Sequence, residues 1–283
     1  MMRVAFGDAR FEHLRLDSDD EVLWVLLNRP ERLNAMTDLM LREFQAVYAG
    51  VERGPWRCVI IAGEGRAFCS GADLGQIGNV IDFTDAEQVR AYLDQGWQRV
   101  IEAIRTVSIP TVAAVHGAAY GGGANLALAA DLVVAGESAM FCQSYIDRGI
   151  SPDLGGTVIL PRLVGGQQAR RLLLLGDPVG AGEALAMGMI SSVVADADLR
   201  ASARAVAARL AAKDQRALNV IRRLVEDAFS RTLVSGLAEE SAGVGDTLSS
   251  PLFSASTEAY RSTEGASSGA PTTKPAAMSG RDD

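Results

Sequence analysis

The sequence predicts an α/β core followed by a run of helices. Three observations carry that prediction. Ile109 to Asp131, IPTVAAVHGAAYGGGANLALAAD, passes from a short apolar run through three consecutive glycines into an Ala- and Leu-rich stretch, which reads as strand, turn and buried helix. The front of the chain carries further short apolar runs closed by Gly or Pro. From Asp198 onward the pattern is helical alone, so strands and helices segregate along the chain. Residues 1–197 are therefore read as the α/β core and 198–261 as a helical C-terminal region. Residues 262–283, STEGASSGAPTTKPAAMSGRDD, have the composition of a disordered tail.

The elements follow in order. Phe11 to Leu16 and Val22 to Leu27 flank the acidic turn DSDDE and predict a β-hairpin. Asn28 to Met36, NRPERLNAM, is a loop containing Pro30. Thr37 is placed to cap a helix from Asp38 to about Ala49, with Leu41, Phe44 and Tyr48 on one face. Cys58 to Ala62 is a buried strand that ends in a second glycine-bearing loop, Gly63 to Leu74. Ile77 to Thr84 shows no period. Asp85 is placed to cap one long helix to Thr106, with Val89, Leu93, Trp97, Val100 and Ile104 as its apolar stripe.

After the glycine turn, Leu132 to Ala135 and Ala139 to Cys142 read as strands, and Gln143 to Thr157 as a loop dense in Gly and Pro. A helix is predicted from Gly166 to Leu175, broken at Gly176-Asp177-Pro178. Ala181 to Met187 is a short helix and Ile190 to Val194 a last strand. Helices over Leu199 to Ala212, Gln215 to Phe229 and Leu233 to Asp246 complete the pattern.

Composition excludes several functions. At 283 residues with 48% hydrophobic and 22% charged residues, the chain can bury an ordinary globular core. No apolar run approaches the ~20 residues of a membrane helix, and the N-terminus lacks the apolar core of a signal peptide; the expectation is a cytoplasmic protein with no membrane partner. A net charge of −8 argues against a nucleic-acid surface. Cys58, Cys69 and Cys142 have no metal-binding spacing and read as small buried residues, so no metal site is expected.

The chemistry is expected at the two glycine loops that follow strands. Neither carries the Gly-Lys-Ser/Thr of a phosphate loop, and Gly117, Gly121, Gly122 and Gly123 do not fit GxGxxG. Bare N–H groups at a helix start suit an anion or a developing oxyanion. If one N–H from each loop meets at a carbonyl oxygen, the pair forms an oxyanion hole. The alternative is that the glycines serve tight strand–helix packing. His116 has no GxSxG serine to serve and reads as structural, and His13 in the first strand has no visible partner.

Several motifs resemble the crotonase superfamily, the enoyl-CoA hydratases and isomerases. They are RLNAM (Arg32 to Met36), GRAFCSGADL (Gly65 to Leu74), AAVHGAAYGGGANLALAAD (Ala113 to Asp131) and GISPDLGGTVILPRLVG (Gly149 to Gly165). LLGDPVGAGEALAMGMISSVV (Leu174 to Val194) continues the match. The resemblance implies a spiral of repeated ββα units with a helical trimerisation region, as a homotrimer or a dimer of trimers. It implies an acyl-CoA thioester as substrate and no cofactor beyond that CoA moiety. By motif match the oxyanion-hole N–H groups are those of Ala72 and Gly122. Arg32, the backbone near Leu33 and Ala35, and the loop of Ala72, Asp73, Leu74 and Gly75 would line the CoA and acyl path, with Arg32 a partner for CoA phosphate. Asp73 and Asp131 are also read as residues that fix loops and strand–helix joints.

The departures from the resemblance carry the functional reading. Asn125 and Tyr145 stand where a typical hydratase of the superfamily has its two glutamates. Hydration uses a base to activate water and an acid to protonate carbon, so ordinary hydratase activity is not expected. Asp153, in SPDLGG, matches the catalytic aspartate of several isomerases and a dehalogenase. One carboxylate suffices for a Δ3,Δ2 double-bond shift, and Asp153 is expected to act as its general acid/base. The competing role for Asp153 is a cap on a helix beginning near Gly156 or Thr157. Tyr145 is read as a pocket wall in preference to a hydrogen-bond donor. Asn125 is left between orienting a polar group and satisfying the helix start. Rival functions are a specialised hydratase, a C–C bond hydrolase, and a non-catalytic acyl-CoA- or RNA-binding relative. Tyr260-Arg261-Ser262 runs directly into the tail, which departs from the basic, aromatic C-terminal stretch of many relatives.

Overall fold

A computed structural model of the protein describes residues 2–3 and 11–265. The described residues fall into two compact units, one up to Ser230 and one from Arg231 onward. In the first unit, β1 (Met2–Arg3), β2 (Leu14–Asp19) and β3 (Val22–Leu27) are antiparallel. From β3 the sheet continues in parallel through β4 (Cys58–Gly63), β5 (Thr111–Val115), β7 (Leu132–Gly136) and β10 (Ser192–Val194). A second sheet joins β6 (Ala118–Tyr120), β8 (Met140–Cys142) and β9 (Val179–Gly180).

Alternation along the strands splits the core in two. In β3, Leu23, Val25 and Leu27 face a large cluster built with α1 (Asp38–Gly50) and α4 (Trp97–Thr106). Val22, Trp24 and Leu26 face a smaller cluster closed by α8 (Leu199–Ala211). Ala203, Ala207 and Ala211 of α8 are at most 5% exposed, and their small side chains let the helix lie close to the sheet. This is why every residue of β3 is buried.

The expected repeat is present: a strand of the large sheet, a short strand of the small one, then a helix. It occurs as β5–β6–α5 (Gly122–Leu128) and as β7–β8–α6 (Gly156–Leu175). The hairpin, the Thr37 cap on α1 and the strand–glycine–helix unit form as predicted; Thr37 Oγ1 accepts from Met40 N at 3.1 Å. His13 gains a partner that its sequence context did not show, Thr37 Oγ1 at 2.7 Å.

Four expectations change. The single helix from Asp85 to Thr106 is two, α3 (Ala86–Gln95) and α4, separated at Gly96 (φ −109°, ψ −106°). A Cβ at Gly96 would lie 2.5 Å from the carbonyl oxygen of Tyr92, so the break is built around a missing side chain. Helix α6 starts ten residues before the predicted Gly166 and is interrupted at Gly165 (φ 74°, ψ 161°). Strand β6 was not expected. Helix α8 packs into the first unit's smaller core cluster, and α9 (Gln215–Asp227) belongs to that unit too. The second unit holds α10 (Leu233–Leu248), started by a Thr232/Ser235 capping box, and α11 (Pro251–Gly265). Residues 262–265, assigned to the tail, lie in α11; residues 266–283 lie outside the described residues.

Candidate active site

Three segments meet: the loops that follow β3 and β4, and the glycine turn that follows β6. Ser70 N donates to Leu33 O at 3.0 Å, Met36 N to Gly71 O at 2.8 Å and Asp73 N to Met36 O at 2.8 Å. Cys69 N donates to Ala118 O (2.9 Å), and Tyr120 N returns a bond to Cys69 O (3.0 Å). The loop bearing Ala72 is thus stitched to Asn28–Met36 on one side and to the glycine turn on the other. Gly71 (φ 97°) packs so close that a Cβ there would lie 2.9 Å from Tyr120 O and 3.9 Å from Gly122 N. Gly121 (φ 52°, ψ −122°) turns the chain into α5 in a conformation that favours glycine.

A cavity of about 450 Å³ opens against both turns. Ala72 and Gly122 both line it. Their N–H groups donate to no acceptor among the described residues. Gly122 is the first residue of α5, where the N–H groups have no intrahelical acceptor. The cavity walls are largely apolar, with Ile77, Ile81, Leu93, Trp97 and Leu154 among them. Exposed Leu74, Phe83 and Ile150 also line it.

One carboxylate, Asp153, lines this cavity among the described residues. Tyr145 Oη donates to Asp153 Oδ1 at 2.6 Å. Burial holds the Asp153 carboxyl above the ordinary carboxylate range, with the Tyr145 bond acting in the opposite direction. Burial also pushes the Tyr145 phenol up, so it remains a protonated donor. Asp153 does not cap α6: the cap residue is Gly155 and no side chain caps that helix. The backbone carbonyl of Asp153 instead accepts from Gly156 N at 3.0 Å and from Asn125 Nδ2 at 2.9 Å.

Of the other residues singled out by sequence, Leu74 and Tyr145 line the cavity, and Tyr145 is both wall and donor. Asn125 is 1% exposed and lies behind the wall, bonded to Tyr145 Oη at 3.0 Å. Arg32, Leu33, Ala35, Asp73 and Gly75 do not line the cavity. Arg32 is exposed. The carbonyls of Leu33 and Ala35 are engaged internally, by Ser70 N and by Arg29 Nη1 (2.6 Å). Asp73 pairs with Arg29 at 3.0 Å and caps α2 (Leu74–Ile77) through Gln76 N. Asp131 fixes its joint as expected, accepting from Thr111 N and Arg222 Nε, each at 2.8 Å. His116 bonds Gly65 O at 2.8 Å and lies outside the cavity.

Sequence reasoning missed Arg29 and Gln143. Arg29 sits three positions before Arg32 in the same polar loop, and burial, not residue type, separates their roles. Gln143 directly follows β8, and its Nε2 donates to Asn125 Oδ1 at 2.9 Å. The buried thiols carry no sign of reactivity; burial pushes Cys58 and Cys69 each up to about 12.

The chain is similar to known proteins along most of its length. The family model for enoyl-CoA hydratase/isomerase matches residues 17–266. A Rhodobacter capsulatus protein named a probable enoyl-CoA hydratase is 36% identical over 250 residues, 88% of this chain and 95% of its own length. An Escherichia coli 1,2-epoxyphenylacetyl-CoA isomerase is 36% identical over 213 residues, 75% of this chain and 81% of its own. The crystal structure of an enoyl-CoA hydratase from Polaromonas superposes with a TM-score of 0.82 at 32% identity, covering 88% of this chain and 97% of the other.

Proposed function

The chain belongs to the enoyl-CoA hydratase/isomerase family of the crotonase superfamily, and from that membership we propose that it shifts a double bond in an enoyl-CoA thioester. The supporting observation is the cavity that brings two unengaged backbone N–H groups together with one carboxylate among the described residues. The thioester oxygen accepts from Ala72 N–H and Gly122 N–H. Each donor of this kind is typically worth ~3–4 kcal/mol when charge develops on that oxygen. Asp153 takes the proton from C2 of a 3-enoyl-CoA, and the electron pair spreads over the dienolate onto the thioester oxygen. Asp153 then returns the proton to C4, the double bond settles between C2 and C3, and the carboxylate is regenerated. A carboxyl held above its ordinary range by burial is suited to both halves of that exchange.

Hydration is the second reading, favoured by the hydratase name of the Rhodobacter relative. Against it stands the cavity itself, which offers no second carboxylate among the described residues. Exposed Leu233, Val234, Leu237 and Val244 along α10 support reading the second unit as an oligomerisation surface. Among the described residues no helix is long and apolar enough to cross a membrane. The test is to supply 3-hexenoyl-CoA and 2-hexenoyl-CoA separately. Conversion of the first to the conjugated ester, with no 3-hydroxyacyl-CoA from the second, is expected. Rapid formation of the 3-hydroxyacyl ester would replace this reading with hydration.

A further inference from the structure

At the cavity wall, Tyr145 and the two side chains behind it form a buried hydrogen-bond chain whose direction is fixed. Gln143, Asn125 and Tyr145 are 4%, 1% and 6% exposed. Asn125 Nδ2 lies 2.9 Å from the backbone oxygen of Asp153, which can only accept, so the amide nitrogen must face it. The same orientation turns Asn125 Oδ1 toward the Nε2 donor of Gln143 at 2.9 Å. It also makes Asn125 Nδ2 the donor to Tyr145 Oη at 3.0 Å. The phenol therefore accepts on one side, and its single proton is left for Asp153 Oδ1 at 2.6 Å. Space for the Asn125 amide comes from Gly156, where a Cβ would lie 2.6 Å from Nδ2. The donors run in one direction, from Gln143 through Asn125 to Tyr145, and the phenol's proton is the one that reaches the carboxylate.

On the reading of Asp153 as the acid/base, we propose that Tyr145 and Asn125 are positioning residues for it. They occupy Oδ1 with a donated proton and leave Oδ2 as the oxygen that exchanges a proton with substrate. The chain runs back into amides, which do not pass protons on at neutral pH. A proton taken by Asp153 is thus held for return to the substrate's far carbon. The two positions that match hydratase glutamates have become the neutral frame of a single carboxylate.

The test is Tyr145→Phe, which keeps the ring and removes the donor. Turnover of 3-hexenoyl-CoA is expected to fall in kcat by roughly ten- to a hundredfold, the loss of one hydrogen bond to a charged group. Binding of the saturated ester hexanoyl-CoA stays unchanged. The acidic limb of the kcat/KM profile moves up by about one pH unit, since the lost bond favoured the carboxylate. Among the described residues, Tyr92 and Arg148 are the other titratable groups on the cavity and are untouched by the substitution. Asn125→Asp tests the direction at constant volume: an acceptor there draws the phenol's proton away from Asp153, and kcat falls at least as far as in Tyr145→Phe. Wild-type kcat and pH profile in Tyr145→Phe, or a loss confined to KM, overturns the proposal. Asp153→Asn separates the two levels. If it retains activity, the acid/base reading falls and the positioning role with it; if it is inactive while Tyr145→Phe matches wild type, the positioning role alone falls.

Discussion

Arg29 and Asp73, 44 residues apart, form a salt bridge at 3.0 Å with side chains 6% and 20% exposed. The same guanidinium donates to Ala35 O at 2.6 Å. One arginine thereby ties the loop after β3 to the loop that carries Ala72. Asp73→Ala leaves the buried guanidinium without its counter-ion, which typically costs ~3–5 kcal/mol. Reduced stability in urea and a lower kcat with 3-hexenoyl-CoA are expected together, because the Ala72 N–H is held by this frame. Unaltered stability would show that the pair carries no weight.

Gly71 tests whether the two turns must touch. Gly71→Ala places a Cβ 2.9 Å from Tyr120 O at a φ of 97°, where L side chains are strained. The two loops must part to admit it. A displacement of this kind is expected to cost on the order of a hundredfold in kcat, while helical content by circular dichroism is retained. Full activity would mean that the two N–H groups need not be held together.

The buried carboxyl of Asp153 makes stability depend on pH in a definite sense. Its folded-state pKa lies above the ordinary 3.8, chiefly through burial. As pH rises through that window the unfolded chain gives up its proton first, so stability present in acid is lost toward neutral pH. Asp153→Asn removes the penalty. Its Tm is expected to exceed the wild-type value at neutral pH, and the gap to close below pH 3.8. Thermal denaturation across that range measures it, and a Tm lowered at neutral pH would contradict the assignment.

Arg32 is exposed and has no ion-pair partner among the described residues, whereas its neighbour Arg29 is committed to the fold. Arg32→Ala is expected to raise KM for the CoA ester roughly twofold to fivefold, the range of an exposed ionic contact, with kcat unchanged. The effect should fade with added salt. A change in kcat instead would move Arg32 from substrate binding into the loop frame.

Much of this was legible because it is local. Thr37 before an apolar helical stripe, the acidic hairpin turn, and a strand entering three glycines each announce themselves within a few residues. The split at Gly96 was not legible, since a single glycine in a helical pattern costs only about 1 kcal/mol and does not by itself end a helix. The first half of α6 was hidden by Pro161 and by the Gly165-Gly166 pair. At the site, motif resemblance pointed to Ala72, Gly122 and Asp153. Pairings across sequence were out of reach: Glu43 accepting from the backbone of Glu12, His13 and Leu14, Arg29 on Asp73, and Tyr145 on Asp153. Periodicity predicts which face is buried. It does not predict which polar group will meet which.

The central claim is that one carboxylate moves the proton. Its most direct measurement is the turnover of 3-hexenoyl-CoA by Asp153→Asn, beside the affinity of the same variant for hexanoyl-CoA. Loss of acid/base catalysis predicts a fall in kcat of roughly a hundredfold to ten-thousandfold, with hexanoyl-CoA bound as tightly as by wild type. Isomerisation at the wild-type rate would contradict it.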